Sequence, residues 1–368
     1  MMLLPEELIF QILLWLPVKS LIRFKCVCKS WFSLISHDSH FANSHFQLTS
    51  TTTPSHRILF ISTFPFGSLS IDFEALLDDD TASVSLDLFS IFPQRFADIE
   101  IKGSCRGFIL LCRSSNIYIW NPCTGVHREI PISPFGSNLN ADYFYGFGYD
   151  PSTEDYLVVL MSRHGSDNPP LRLEYFSLKA NTWNEVEGPH FPYANGNIFE
   201  FPPIPGGSLY NGAIHWLAFR EDLQTEVIVA FDLMEKKLSY MLLPRCSDGS
   251  PLHCGLWVYG EFLSAYTTNY TNDTVVIFVM KEYKVDSSWT RTLALPYDVI
   301  PNEDFCPLCC TKNGDIVGTD DGSGLVKYDK NGQFLEHYCY TTDDLTRQMI
   351  MYIESLLSLP SDGDNQQV

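Results

Sequence analysis

Apolar and polar positions divide the chain into two regimes near residue 45. Between residues 8 and 16 only Gln11 is polar: Leu8, Ile9, Ile12, Leu13 and Leu16 make one helical face, and Phe10, Leu14 and Trp15 occupy the other. Pro5 suits a first helical turn, where its missing N–H costs nothing, and Glu6 and Glu7 complement the positive helix end. The pattern predicts a helix that runs to Leu16 and stops at Pro17. A helix apolar nearly all round needs burial on most sides. Two further helical runs, residues 18–26 and 28–35, add Leu21, Phe24, Val27, Trp31 and Leu34 to the apolar surface. Three helices in forty-odd residues bury too little surface to stand alone. The unit needs a partner, either the rest of the chain or another protein.

Residues 46–55, rich in Thr and Ser and carrying Pro54, read as a linker. Beyond it helical periodicity is almost absent, and short β-branched or aromatic runs alternate with Gly, Pro, Asn and Asp turns. A unit recurs. One half is a glycine-containing hairpin, at residues 103–112, 144–161, 206–219, 256–267 and 307–319. The other half is a strand, a polar turn and a closing strand, at residues 117–125, 175–183, 230–237, 282–289 and 326–332. The anchors Asn121, Ser177, Asp232, Val285 and Asp329 are spaced by 56, 55, 53 and 44 residues. Four strands in roughly fifty residues is the period of a kelch-type propeller blade. Residues 57–93, with strand candidates at 58–63 and 84–92 around an exposed Asp78-Asp79-Asp80 loop, are expected to supply a sixth blade with help from the C-terminus. Residues 347–359 read equally as helix or strand, and 361–368 as a disordered polar tail. The expected fold is a small all-α unit followed by an all-β propeller of about six blades over residues 56–360.

Charge sharpens the division. Residues 1–45 carry a net +1, with Lys19, Arg23, Lys25 and Lys29 against Glu6, Glu7 and Asp38, whereas the whole chain carries −20. So acidic a body disfavours phosphate backbones, and no nucleic-acid partner is expected. No apolar stretch is long enough to span a membrane, and the apolar start lacks a basic leader region. The eleven scattered cysteines then read as reduced thiols of a cytoplasmic or nuclear protein.

The docking helices resemble an F-box, carried by Leu4-Pro5-Glu6-Glu7-Leu8-Ile9, by Ile12-Leu13-Leu14-Trp15-Leu16-Pro17-Val18-Lys19-Ser20-Leu21, and by Arg23-Phe24-Lys25-Cys26-Val27-Cys28-Lys29-Ser30-Trp31. The resemblance implies binding to a Skp-type adaptor and, through it, to cullin and RING subunits. By position, Pro5, Ile12, Leu13, Leu16, Pro17, Leu21, Val27 and Trp31 would form the adaptor contact. The remainder resembles the plant F-box-associated, kelch-related domain, which includes S-locus F-box proteins. Its carriers are Asn121-Pro122-Cys123-Thr124-Gly125, Gly146-Phe147-Gly148-Tyr149-Asp150-Pro151, Asp155-Tyr156-Leu157-Val158-Val159, Glu174-Tyr175-Phe176-Ser177-Leu178, Asn211-Gly212-Ala213-Ile214-His215-Trp216, and Tyr352-Ile353-Glu354-Ser355-Leu356. Each motif also has a plain physical reading: Asn121-Pro122 with Gly125 is a turn, and Trp183, Trp216 and Trp289 are spacers between blades.

Reactive chemistry is not legible. Cys306-x-x-Cys309-Cys310 has metal-like spacing, but zinc needs four ligands, and His253 and His337 stand apart from it. No G-x-S-x-G elbow, phosphate loop or H-E-x-x-H motif occurs, so no catalytic residue, metal or cofactor is assigned. The expected function is non-catalytic: a substrate receptor of an SCF-type ubiquitin ligase that brings target lysines close to a charged conjugating enzyme. Arg163, His164, Phe199, Phe201, Tyr270, Asp320 and Asp321, between strands, are the candidate target contacts. Two other classes stay open, a carbohydrate- or glycoprotein-binding F-box receptor and a catalytic propeller such as a glycosidase with two carboxylates.

Overall fold

The computed structural model describes residues 5–52, 56–63, 66–73, 83–86, 99–113, 116–134, 143–163, 171–186, 193–195, 206–244, 253–269, 273–296, 305–311, 313–320, 324–339 and 347–360. The chain forms two compact units, residues 1–132 with 350–368, and residues 133–349.

The first unit opens with α1 (Glu6–Leu14), α2 (Val18–Phe24), α3 (Lys29–His37) and α4 (Ser39–Thr52). The fourth helix corrects the sequence reading, because it runs through most of the stretch assigned to a linker. Its start is fixed by Asp38, whose carboxylate accepts the Phe41 N–H at 2.8 Å, and neither Gly nor Pro interrupts residues 39–52. Phe41, Ala42, His45 and Phe46 all lie on one buried stripe. The Thr49 hydroxyl turns back to the His45 carbonyl at 2.8 Å, so a Thr/Ser-rich turn stays helical. Composition suggested a loop, and packing on one face overrode it.

The strands of this unit are β1 (His56–Thr63), β2 (Phe66–Asp72), β3 (Ser83–Ser85), β4 (Ile99–Cys105), β5 (Phe108–Arg113), β6 (Asn116–Trp120) and β7 (His127–Ile130). β4 to β7 form one antiparallel sheet in sequence order. Its inward residues Ile99, Ile101, Ile109, Leu111 and Trp120 join Leu59, Ile61 and Tyr352 in a single apolar cluster. The β4–β5 hairpin turns through Arg106 and Gly107, both at positive φ, 51° and 87°. A side chain at Gly107 would overlap Ser355, so this turn requires glycine.

The second unit holds four sheets. They are β8 (Tyr143–Asp150), β9 (Asp155–Arg163), β10 (Leu171–Ser177) and β11 (Thr182–Glu185); β12 (Tyr193–Asn195), β13 (Ser208–Tyr210), β14 (Ala213–Arg220), β15 (Thr225–Asp232) and β16 (Lys237–Leu242); β17 (His253–Tyr259), β18 (Phe262–Asn269), β19 (Thr274–Met280) and β20 (Trp289–Pro296); and β21 (Cys306–Cys310), β22 (Ile316–Thr319), β23 (Gly324–Tyr328) and β24 (Phe334–Cys339). The last strand, β25 (Arg347–Ile353), lies beside β1 and completes a sheet of order β25-β1-β2-β3. Six sheets make a six-bladed β-propeller, with the sixth blade assembled from both parts of the chain as the sequence predicts. β25 also settles residues 347–353 as strand.

The spacing of the anchor residues has a physical cause. Asn121 Oδ1 accepts the Cys123 N–H at 2.9 Å, Asp232 Oδ1 accepts Met234 and Glu235 at 2.9 Å, and Asp329 Oδ1 accepts Asn331 and Gln333. Ser177 Oγ accepts Ala180 at 2.9 Å. Each anchor side chain closes the turn after the third strand of its blade. Val285 has no such side chain, and there the register departs from the expectation: the third strand is β19, and the residues read as strand form a turn that leads into a 3-10 segment at Asp286–Ser288. Trp216 is a buried spacer as expected, 3% exposed, while Trp183 and Trp289 are half-buried. The Cys306–Cys310 stretch is strand β21, where burial pushes the Cys310 thiol up to about 11. Asp78, Asp79 and Asp80 lie outside the described residues, as does the 361–368 tail.

Candidate docking surface

Helix α1 begins at Pro5, whose φ of −55° fits the turn, and carries Glu6 and Glu7 at its positive end. It closes at Trp15, because Pro17 has no N–H to continue it and instead precedes α2. The helix sorts its side chains onto two faces. Leu13 and Leu14 point inward, with Val18, Leu21, Ile35, Phe41 and Ala42 as company in the core. Phe10 meets Phe41 edge to face at 5.3 Å, and Phe24 meets Trp31 at 5.5 Å. At the floor of this core, buried His45 donates its Nε2–H to the Leu16 carbonyl at 2.9 Å, an oxygen that the end of α1 leaves without a helical donor.

The opposite face is apolar and open. Leu8, Ile12 and Trp15 recur at helical spacing along α1 and are 50%, 53% and 64% exposed; elsewhere in the helical unit Val27 is 60% and Phe32 48% exposed. Isolated exposed apolar residues are ordinary, but Leu8, Ile12 and Trp15 share one face of a single helix, and such a stripe marks an interaction surface. Fully burying such side chains is worth about 1.5–3 kcal/mol each.

The predicted adaptor-contact residues divide on this geometry. Pro5, Ile12, Pro17 and Val27 are exposed, and Leu16 and Trp31 are half-buried. Leu13 and Leu21 are 1% and 0% exposed, so they build the helical core and are not surface contacts in this conformation. The sequence reading placed them outside because it lacked α4, whose Phe41 packs against Phe10 of α1. Leu8, Trp15 and Phe32 were missed as surface residues. The spacing of Leu8, Ile12 and Trp15 at four and then three residues was the available signal.

The candidate target contacts fare differently. Arg163 is the last residue of β9. Asp320 is corrected: it is fully buried, accepting the Gly324 N–H at 2.5 Å and pairing with His337 Nε2 at 2.6 Å. Its carboxylate closes the β22–β23 connection and is spent on structure. His164, Phe199, Phe201, Tyr270 and Asp321 lie outside the described residues. Among the described residues no cluster of three or more His, Cys, Asp or Glu has the geometry of a metal site.

Comparison with known proteins agrees with this architecture. Residues 1–42 match the F-box domain, and residues 57–356 match the F-box associated beta propeller domain. An F-box/kelch-repeat protein of Arabidopsis thaliana is 28% identical over 98% of this chain and 96% of its own length. The F-box protein CPR1 of Arabidopsis thaliana is 28% identical over 79% of this chain and 72% of its own. Among solved structures, TolB from Acinetobacter baumannii aligns with a TM-score of 0.45 at 9% identity, over 86% of this chain and 72% of that one. The helical unit with its open apolar stripe, the six blades and the two family matches lead to one conclusion: the chain belongs to the F-box proteins that carry an F-box associated β-propeller domain.

Proposed function

We propose that this chain is the target-binding subunit of an SCF-type cullin ubiquitin ligase and does no bond chemistry itself. The carrying observation is the exposed apolar stripe of Leu8, Ile12 and Trp15 on the first helix, opposite its buried Leu13 and Leu14. An F-box domain implies a Skp-type adaptor as the polypeptide that covers this face, and the adaptor would connect to cullin and RING subunits. The propeller presents loops to a target protein. The chemistry is proximity: a tethered target sees the charged conjugating enzyme at high effective concentration, so its lysines react without an active site in this chain.

The reading is tested by co-purifying a Skp-type adaptor with the full chain and with Ile12→Glu/Trp15→Ala. Central interface anchors cost about 2 kcal/mol or more when truncated, so the double variant loses capture by more than tenfold while its propeller stays folded. Undiminished capture by the double variant overturns the assignment. Target identity is then approached by proximity labelling under proteasome inhibition, comparing the full chain with one lacking residues 1–45.

A further inference from the structure

Helix α4 belongs to two packing environments within the first unit. Its first half closes the docking helices through Phe41 against Phe10 and through His45 on Leu16. Its next turn faces the β4–β5 hairpin. There the Arg106 guanidinium lies 4.8 Å from the centre of the Phe46 ring, and Arg106 Nη2 donates to Asn43 Oδ1 at 3.4 Å. Asn43 and Phe46 are three positions apart and share a helical face, so one planar cation spans both. Phe46 is 7% exposed. The turn that presents Arg106 is itself held: Gly107 packs on Ser355, and Asn121 Nδ2 donates to the Ser355 and Leu357 carbonyls, each at 3.2 Å.

We propose that Arg106 is a positioning residue, bracketing α4 onto the β4–β5 turn so that the docking helices and the adjoining blade move as one body. Only residues 53–55 connect α4 to β1, and a single covalent connection leaves a helix free to swing. The bracket supplies a second point of attachment, and two points fix an orientation. The consequence rests on the ligase reading above: proximity catalysis works at an effective concentration set by tether stiffness, and a loose F-box dilutes it.

The test is hydrogen exchange of the full-length chain, read at the amides of residues 46–52 and of residues 9–24, together with adaptor capture. A cation over an aromatic ring at a surface site stabilises modestly, so Arg106→Ala should speed exchange at residues 46–52 about two- to fivefold. Residues 9–24 and adaptor capture should not change. Arg106→Lys, which keeps a cation above Phe46, should restore most of the protection. Phe46→Leu should reproduce the loss, and adding Arg106→Ala to it should cost nothing more. Unchanged exchange in Arg106→Ala, additive losses in the double variant, or equal loosening at residues 9–24 each overturn the proposal. Failure of the ligase reading shows separately, as a wild-type chain that captures no adaptor whatever its exchange pattern.

Discussion

His45 Nε2 sits 2.9 Å from the Leu16 carbonyl oxygen, joining the end of α1 to the middle of α4 across 29 residues of sequence. The ring is fully buried, and among the described residues its Nδ1 has no hydrogen-bond partner. Burial holds its pKa below the usual imidazole range, only partly offset by the Leu16 carbonyl. The unfolded chain therefore binds the proton more readily. The stabilisation is complete above about pH 6.5 and is lost as pH falls, by at most about 1.4 kcal/mol per pH unit. Exchange protection in residues 9–24 should fall between pH 7.5 and 5 in the wild type, and the His45→Gln variant should show a flatter dependence.

His215 carries the same sign in the second unit. Nδ1–H donates to the Ser208 carbonyl at 3.2 Å, and Nε2 accepts the Tyr283 hydroxyl at 2.8 Å. Burial, opposed by the Ser208 carbonyl, brings its pKa down to about 4. Folding free energy should decline by roughly 3 kcal/mol as pH drops from the unfolded value near 6.5 toward 4. Urea titrations across that range check it. A His215→Asn variant that retains the full pH dependence contradicts the assignment.

Inner and outer residues of α1 should separate cleanly. Leu13→Ala removes a side chain that is 1% exposed and should destabilise the helical unit by about 2–5 kcal/mol. Ile12→Ala, at 53% exposure, should leave stability within about 0.5 kcal/mol and weaken adaptor capture. Thermal unfolding and pull-down, run on the same preparations, distinguish the two.

Lys236 Nζ pairs with Asp150 at 2.7 Å, and the Asp150 side chain is 1% exposed. Burial alone would raise the Asp150 pKa, but hydrogen bonds from Lys236, Ser152 and Thr153 reverse this and hold the carboxyl far below the usual range. Lys236→Met leaves that carboxylate buried without its partner and should cost about 3–5 kcal/mol. Asp150→Asn added to Lys236→Met should recover part of the loss. Equal stability of wild type and Lys236→Met would show that the pair contributes nothing.

Much of this was legible in the sequence, for reasons that specific residues make plain. The blade period could be read because Asn121, Asp232 and Asp329 do the same local task, capping a turn with a side-chain oxygen. Local tasks leave a local signature. It failed at Val285, where the chain turns by other means. Residues 46–52 were misread because their helicity comes from what Phe41 and Phe46 pack against, a long-range fact with no trace in Thr and Ser content. Leu13 and Leu21 were placed at the surface by their positions in the F-box resemblance, whereas their burial follows from how the helices pack together, which no local pattern records. Asp320 looked like a loop acid until its partner His337, 17 positions away, was seen to face it.

The pairing of β25 with β1 sets a timetable for biogenesis. The sheet that begins with residue 56 lacks a strand until residue 353 has left the ribosome. At about 5–20 residues per second that interval is tens of seconds, during which the β1 edge offers unpaired backbone groups to any passing strand. A message cut short anywhere before residue 347 yields a chain with a permanently unfinished blade, which cellular quality control is equipped to find.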